Sequence, residues 1–89
     1  MGAAAVSVID DQWSVELIVD DRNGVLAALA STFSFRGVSI DSFHTESLGP
    51  AETRLTATFA GSARMAKELG RTLTRLDFVR ELTVTQIEA

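Results

Sequence analysis

The fold of this chain is decided by the stretch WSVELIVDDRNGVL (Trp13–Leu26), in which the hydrophobic pattern changes its period. Up to Val19, apolar and polar residues alternate, and this period of two predicts a strand. From Val25 onward the apolar residues recur at helical spacing until Gly37, which predicts a first helix over residues 24–36. The stretch is therefore a strand, a loop and a helix in succession.

The loop Asp20–Gly24 is the first candidate site. Asp21 or Asn23 is expected to cap the helix, and Gly24 lets the backbone approach another group closely. The free N–H groups at the start of a helix attract negative charge. These residues predict a site for a small anion or carboxylate, with an ordinary strand-to-helix turn as the alternative.

The rest of the chain continues the alternation of strands and helices. The predicted elements are a second strand at residues 38–47, a third strand at 54–59, a second helix at 63–76 and a fourth strand at 79–87. The second strand needs a bulge near Ser42 to return Phe43 to the core face, and the turn that follows pairs it with the third strand as a hairpin. Ser62 is expected to cap the second helix.

The order βαββαβ predicts an α+β fold, a ferredoxin-like two-layer sandwich. Each helix has one apolar stripe, so both helices are expected on one face of an antiparallel four-stranded sheet. Right-handed crossovers place the first and third strands centrally and the second and fourth at the edges. The open face then carries side chains without an aromatic ring: Glu16, Ile18, Arg54, Thr56 and Thr58.

Composition narrows the classes of function. A chain of 89 residues suits a single domain, with a core over about residues 12–87 and an N-terminal extension over residues 1–11. The net charge of −4 disfavours nucleic acid, and an open face without aromatic rings argues against RNA binding. No run approaches the ~20 apolar residues that span a bilayer, and cysteine is absent. We therefore expect a cytoplasmic protein with neither a nucleic-acid nor a membrane partner.

The sequence lacks a catalytic constellation. His44 is the only histidine, and no cysteine accompanies it, so the residues of a metal site or a nucleophile–base pair are missing. The second predicted helix carries a basic stripe, but Glu68 lies within reach of Arg64 and Arg71, which is typical of a solvated face. We expect neither an enzyme nor a bound cofactor or metal ion.

Two segments together resemble the ACT domain, a small amino-acid-sensing module of metabolic enzymes: Asp21–Leu26 and Arg36–Ser42. The likeness covers about residues 13–84, and the second segment is most similar to the regulatory small subunit of acetolactate synthase. The resemblance implies a non-catalytic regulatory domain that binds an amino acid, with branched-chain amino acids as candidates, and that acts on a catalytic subunit.

The resemblance also implies a homodimer in which the second strands of two protomers pair edge to edge into one eight-stranded sheet. Each ligand is then held where the first helix meets the partner's second strand, which covers the uncharged side of that helix. One wall presents backbone N–H groups to the ligand's carboxylate, and the other meets its ammonium group. The first wall consists of Asn23, Gly24, Val25 and Leu26. The second consists of Ser39, Ile40 and Asp41.

Two residues differ from the pattern of the family. Asn23 stands where the family usually has Pro, and Ser39 stands where it usually has Asn. Asn can still form the turn, whereas Ser is shorter and offers one hydroxyl in place of an amide. The alternative to an amino-acid sensor is therefore a dimerisation or interaction module that has lost ligand binding.

Overall fold

The structure, a computed structural model, describes residues 11–87 and contains six elements in the order βαββαβ. They are β1 (Asp11–Asp20), α1 (Val25–Phe35), β2 (Ile40–Ser47), β3 (Glu52–Gly61), α2 (Ala63–Thr74) and β4 (Val79–Ile87). All six predicted elements are present, with ends within two residues of their predicted positions. Of the extension predicted over residues 1–11, only Asp11 lies within the described residues, and it begins β1.

The four strands form one antiparallel sheet in the order β2-β3-β1-β4, so the predicted fold class and strand order are confirmed. Alternate residues of the two inner strands are fully buried on the helix side: Val15, Leu17, Val19, Leu55, Ala57 and Phe59. The register places Glu16 opposite Thr56 and Ile18 opposite Arg54 on the other face. On this face the two inner strands carry no aromatic side chain, as predicted.

The edge strand β2 contains the predicted bulge, and the extra residue is Asp41. Between Ile40 and Ser42 the pairing with β3 shifts by one residue, which leaves Asp41 without a residue opposite it. The shift returns Phe43 to the helix side of the sheet, opposite Ala57. Neither helix covers this strand, because every residue of β2 after Ile40 is exposed.

Both helices pack on the core side of the sheet. The buried residues of α1 recur every four positions, and those of α2 form a similar row: Val25, Leu29 and Phe33, then Ala66, Leu69, Gly70 and Leu73. The rings of Phe33 and Phe59 meet edge to face with their centroids 6.4 Å apart, a geometry that aromatic pairs favour. Within residues 11–87, neither helix combines the length and the apolar character needed to cross a membrane.

The residues at two helix ends explain where those helices stop and start. Gly37, with φ of +74°, follows α1. The N–H of Val38 donates to the carbonyl of Phe33 and that of Gly37 to the carbonyl of Ser34, both at 2.9 Å. These two bonds form a Schellman C-cap, which requires the left-handed conformation that glycine adopts freely. Ser62 caps α2 as predicted, and its hydroxyl accepts a backbone N–H from the first turn at 3.1 Å.

Candidate functional site

The loop that follows β1 is fixed at its start. The N–H of Asp20 donates to the carbonyl of Phe78, and the N–H of Asp21 donates to the carbonyl of Ala51, both at 2.9 Å. The carboxylate of Asp20 also accepts two hydrogen bonds from the guanidinium of Arg80. These bonds, with the charge of Asp20, raise the pKa of Arg80 above its ordinary value. The loop therefore leaves the sheet from a defined position.

The first turn of α1 starts from Gly24 and not from a side-chain cap. Gly24 occupies the N-cap position with φ of +86°, and no side chain caps the helix. The prediction that Asp21 or Asn23 caps it is wrong, because the N-cap position falls on a residue without a side chain. Within residues 11–87, the N–H groups of Leu26 and Ala27 consequently have no hydrogen-bond acceptor. They are available to an anion.

A depression of about 250 Å³ lies between this loop and the end of β2; we call it the loop depression. Asp21, Arg22 and Leu26 line it on the loop side, and Thr45, Ser47 and Thr53 line it on the sheet side. The side chain of Leu26 is 47% exposed there. Because β2 pairs with no strand on its outer side within residues 11–87, the depression adjoins an unpaired sheet edge.

The structure brings together only part of the first predicted wall. Leu26 lines the loop depression, as a wall residue should. Val25 also lines it, although its side chain is mostly buried in the core and its N–H lies 3.4 Å from the carbonyl of Arg22. Asn23 and Gly24 line a separate depression of about 330 Å³. Two of the four predicted residues, Val25 and Leu26, thus line the loop depression, and Leu26 adds an N–H that has no acceptor within residues 11–87.

The second predicted wall lies at the opposite end of β2. Ile40 begins the strand and Ser47, at the loop depression, ends it. Seven steps along a strand correspond to roughly 23 Å. Ser39 and Asp41 are exposed, whereas Ile40 is half-buried and packs against the core. A single protomer therefore does not bring the two predicted walls together.

Sequence reasoning missed the three hydroxyl residues of the loop depression. The signal that would have found them is the bulge. Once Asp41 is counted as extra, Thr45 and Ser47 fall on the same face of the sheet as Phe43, and Thr53 lies opposite Ser47. Polar residues on the face that should meet the core indicate a strand end that no helix covers.

His44 and Arg54 on the sheet do not form a second site of this kind. Residues 11–87 hold no group of three or more His, Asp or Glu side chains placed to bind a metal ion. His44 is exposed, opposite Thr56 on the open face. Arg54 lies between two carboxylates, with Nη1 2.9 Å from Glu46 Oε1 and Nε 2.9 Å from Glu16 Oε2. The guanidinium compensates one of the two negative charges, and none of these three side chains lines the loop depression.

Comparison with known proteins identifies the fold. No protein-family model matches the sequence, and no curated protein matches it either. The chain is similar in structure to the ACT domain of GTP pyrophosphokinase from Chlorobium tepidum, with a TM-score of 0.74 and 12% identity over 85% of this chain and 86% of that one.

Two further solved structures are larger than this chain. One is the acetolactate synthase small subunit from Thermotoga maritima, with a TM-score of 0.75 and 24% identity over 82% of this chain and 46% of that one. The other is the regulatory subunit of aspartate kinase from Thermus thermophilus, with a TM-score of 0.64 and 20% identity over 84% of this chain and 50% of that one. This chain spans about half the length of each. The resemblance seen in the sequence is confirmed in three dimensions: the chain has the fold of ACT domains.

Proposed function

We propose that this chain is a non-catalytic regulatory domain that binds an amino acid in the loop depression and acts as a homodimer through β2. The observation that carries the proposal is the position of the loop depression. It lies beside an unpaired strand, and Leu26, on its wall, has a backbone N–H without an acceptor in the described residues. The site therefore has a donor for a carboxylate and an edge where a partner can dock.

The size and lining of the loop depression suit a small amino acid. Its volume of about 250 Å³ is below the roughly 300–1,000 Å³ of pockets that hold drug-sized ligands. A carboxylate at the start of α1 would meet free N–H groups and the positive end of the helix dipole. Leu26 offers apolar surface to a side chain, and Thr45 and Ser47 offer hydroxyl groups. These features support a zwitterionic ligand with a small or branched side chain.

A second copy of the chain would supply the missing wall. When β2 pairs antiparallel with its own copy, the first residues of one strand lie beside the last residues of the other. The partner subunit's Ser39, Ile40 and Asp41 would then adjoin Ser47 and the loop depression. The two walls lie at opposite ends of β2 in one protomer. Antiparallel pairing of two copies therefore places the first wall of one protomer beside the second wall of the other. Pairing would also cover an open sheet edge, which proteins seldom leave unprotected.

The proposed role is allosteric, with acetolactate synthase as the first candidate for the catalytic partner. Two structures with this fold are called, respectively, a small subunit and a regulatory subunit of an enzyme. We propose that a branched-chain amino acid favours one of two arrangements of the dimer, and that the catalytic subunit distinguishes these arrangements. The free energy available for regulation then equals the difference in the ligand's binding free energy between the two dimer arrangements.

Calorimetric titration of the full chain with each standard amino acid tests the proposal, together with sedimentation analysis of its oligomeric state. We expect a dimer and saturable binding of at least one amino acid. A ligand at a hundred times its Kd should raise the free energy of unfolding by about 2.7 kcal/mol. A dimer that binds no amino acid at millimolar concentration would contradict the sensor and identify a dimerisation module. A chain that stays monomeric with and without amino acids would contradict the assembled site.

A further inference from the structure

The basic side chains of this protein fall into two groups. Of the eight lysines and arginines in the sequence, four contact carboxylates: Arg22, Arg54, Arg64 and Arg80. The other four make no ion pair within residues 11–87: Arg36, Lys67, Arg71 and Arg75. Lys67 and Arg71 lie on α2, and Arg36 and Arg75 are the C-caps of α1 and α2. The uncompensated positive charge is therefore concentrated on the helix layer.

This concentration runs against the charge of the whole chain. The two helices with their C-caps, residues 25–36 and 63–75, hold five basic side chains and one acidic side chain, Glu68, a net charge of +4. The complete chain has a net charge of −4. The helix layer is therefore the part of the chain whose net charge attracts an anion.

Three arginines of the helix layer line one polar depression of about 230 Å³; we call it the arginine depression. Arg36 reaches it from the end of α1, and Arg71 and Arg75 reach it from α2, with Glu68 and Thr72 completing the lining. Nη2 of Arg36 donates a hydrogen bond of 2.6 Å to Oγ1 of Thr72. This bond holds the guanidinium of one helix against the other helix.

Helix stabilisation explains only part of this arrangement. Arg71 lies in the last turn of α2 and Arg75 is its C-cap, where basic side chains interact favourably with the helix dipole. The dipole offsets about half a charge there. Arg36 is likewise the C-cap of α1, so the dipoles of the two helices together offset about one positive charge. Neither dipole explains why the guanidinium of Arg36 is bonded to Thr72 of the other helix. Glu68 is also engaged elsewhere, 3.4 Å from Nε of Arg64, and it forms no ion pair with Arg71. The predicted second partner of Glu68 is thus not observed within residues 11–87.

We propose that the arginine depression binds a phosphate group, either as free phosphate or as the phosphate of a small ester. Three guanidinium groups and one carboxylate give a net charge of +2. The negative ends of the two helices offset about one of these charges, which leaves a depression that still attracts an anion. Three guanidinium groups can meet several oxygens of a phosphate at once, whereas a single carboxylate has only two oxygens. The planar guanidinium fork suits phosphate oxygens. The Thr72 hydroxyl donates to the carbonyl of Glu68 and accepts from Arg36, so it positions Arg36 and does not itself offer a donor to the ligand. The site is independent of the proposed amino-acid site, since the two depressions share no lining residue.

Nuclear magnetic resonance of the ¹⁵N-labelled full chain tests this proposal. Inorganic phosphate and phenyl phosphate are titrated at constant ionic strength, and sodium acetate serves as the carboxylate control. We expect saturable shifts at Arg36, Arg71, Thr72 and Arg75 with a phosphate and none with acetate. If phenyl phosphate binds more tightly than inorganic phosphate, the natural ligand is an ester; the reverse order identifies free phosphate. Either order supports a phosphate site.

Two variants with the same change of charge separate a site from diffuse attraction. Arg71→Gln and Lys67→Gln each remove one positive charge from α2, but only Arg71 lines the depression. Loss of a charged hydrogen bond in Arg71→Gln should raise the Kd about tenfold, whereas Lys67→Gln should leave the Kd nearly unchanged. Both side chains are exposed, so the fold should persist, which the spectra show directly.

Three results would overturn the assignment. Equal weakening by both variants would show that only the general positive charge matters. Saturable shifts of equal size with acetate would remove the preference for phosphate. Absence of saturable shifts with either phosphate at about 10 mM would mean that the guanidinium groups do not form a site at relevant concentrations.

Discussion

Arg80 donates two hydrogen bonds to the carboxylate of Asp20, of 2.7 Å from Nε to Oδ1 and of 3.1 Å from Nη2 to Oδ2. Asp20 is the last residue of β1, directly before the loop that starts α1, and Arg80 belongs to β4. The side-chain pair thus joins the end of one strand to its neighbour at the point where the chain leaves the sheet. We expect the position of the proposed amino-acid site to depend on this joint.

Arg80→Lys should weaken amino-acid binding without unfolding the protein. Lysine keeps the positive charge but cannot reproduce the two-donor contact of a guanidinium with a carboxylate. We expect faster hydrogen exchange at Asp21 and Arg22 and an amino-acid Kd raised a few-fold, measured by exchange spectroscopy and calorimetry. Arg64→Lys is the control, because its ion pair lies on the exposed side of α2. Equal effects of the two changes would show that the joint does not position the loop.

Gly24→Asp should abolish amino-acid binding. At φ of +86° any side chain strains the backbone by about 1–2 kcal/mol, while a Cβ at this position meets no atom within 4 Å. Gly24→Ala therefore reproduces the strain without the charge. We expect calorimetry to show binding to the Ala variant and none to the Asp variant, since a carboxylate at the start of α1 repels the carboxylate of the ligand. Undiminished binding to the Asp variant would refute the site.

Phe43→Glu should dissociate the dimer. Phe43 lies near the middle of β2 and is 40% exposed, so symmetrical pairing of two copies of β2 brings two such residues close together. Like charges facing each other across paired strands are destabilising. Ile87→Glu is a matched control on the other edge strand, where the side chain is 39% exposed. We expect sedimentation to give a monomer only for the β2 variant, and dissociation caused only by Ile87→Glu would move the interface to β4.

Leu29→Ala and Leu26→Ala should separate folding from binding on one helix. Leu29 is fully buried, so its truncation should lower the free energy of unfolding by about 2–5 kcal/mol in urea denaturation. Leu26 is 47% exposed in the loop depression, and its truncation should cost less than about 1 kcal/mol. Calorimetry should nevertheless show weaker amino-acid binding in Leu26→Ala. Binding unaffected in that variant would remove Leu26 from the site.

The elements of this fold can be predicted from sequence because each depends on local spacing. The alternation up to Val19 and the helical spacing after Val25 follow directly from which side chains face the core. Even the bulge in β2 can be predicted, since Phe43 is one position out of phase with Ile40. The N-cap of α1 could not be predicted from local spacing. Whether Gly24 or Asn23 occupies that position depends on where hydrogen bonds attach the loop to the rest of the fold.

The two depressions illustrate what local spacing leaves out. Thr53 and Leu26 come together only when the hairpin and α1 are both in place. In the arginine depression, Arg36 and Thr72 are 36 residues apart in sequence and belong to different helix ends. The basic stripe on α2 alone is typical of a solvated face. Arg36, which turns the stripe into a candidate anion site, comes from the end of α1 and does not belong to the stripe. Ser39 and the other residues of the second predicted wall would reach the loop depression only in a dimer.

Asp41 also bears on how chains of this kind vary in length. Because no residue of β3 lies opposite it, a deletion of Asp41 leaves Ile40 and Ser42 with their present partners. A one-residue deletion between Ser42 and Ser47 would instead turn the remaining side chains to the other face of the sheet. Loss of a single codon at this position would remove the carboxylate proposed to meet the ammonium group and keep the register intact. Under the proposed function, a related sequence with a one-residue gap at this point would keep the fold and lack that carboxylate.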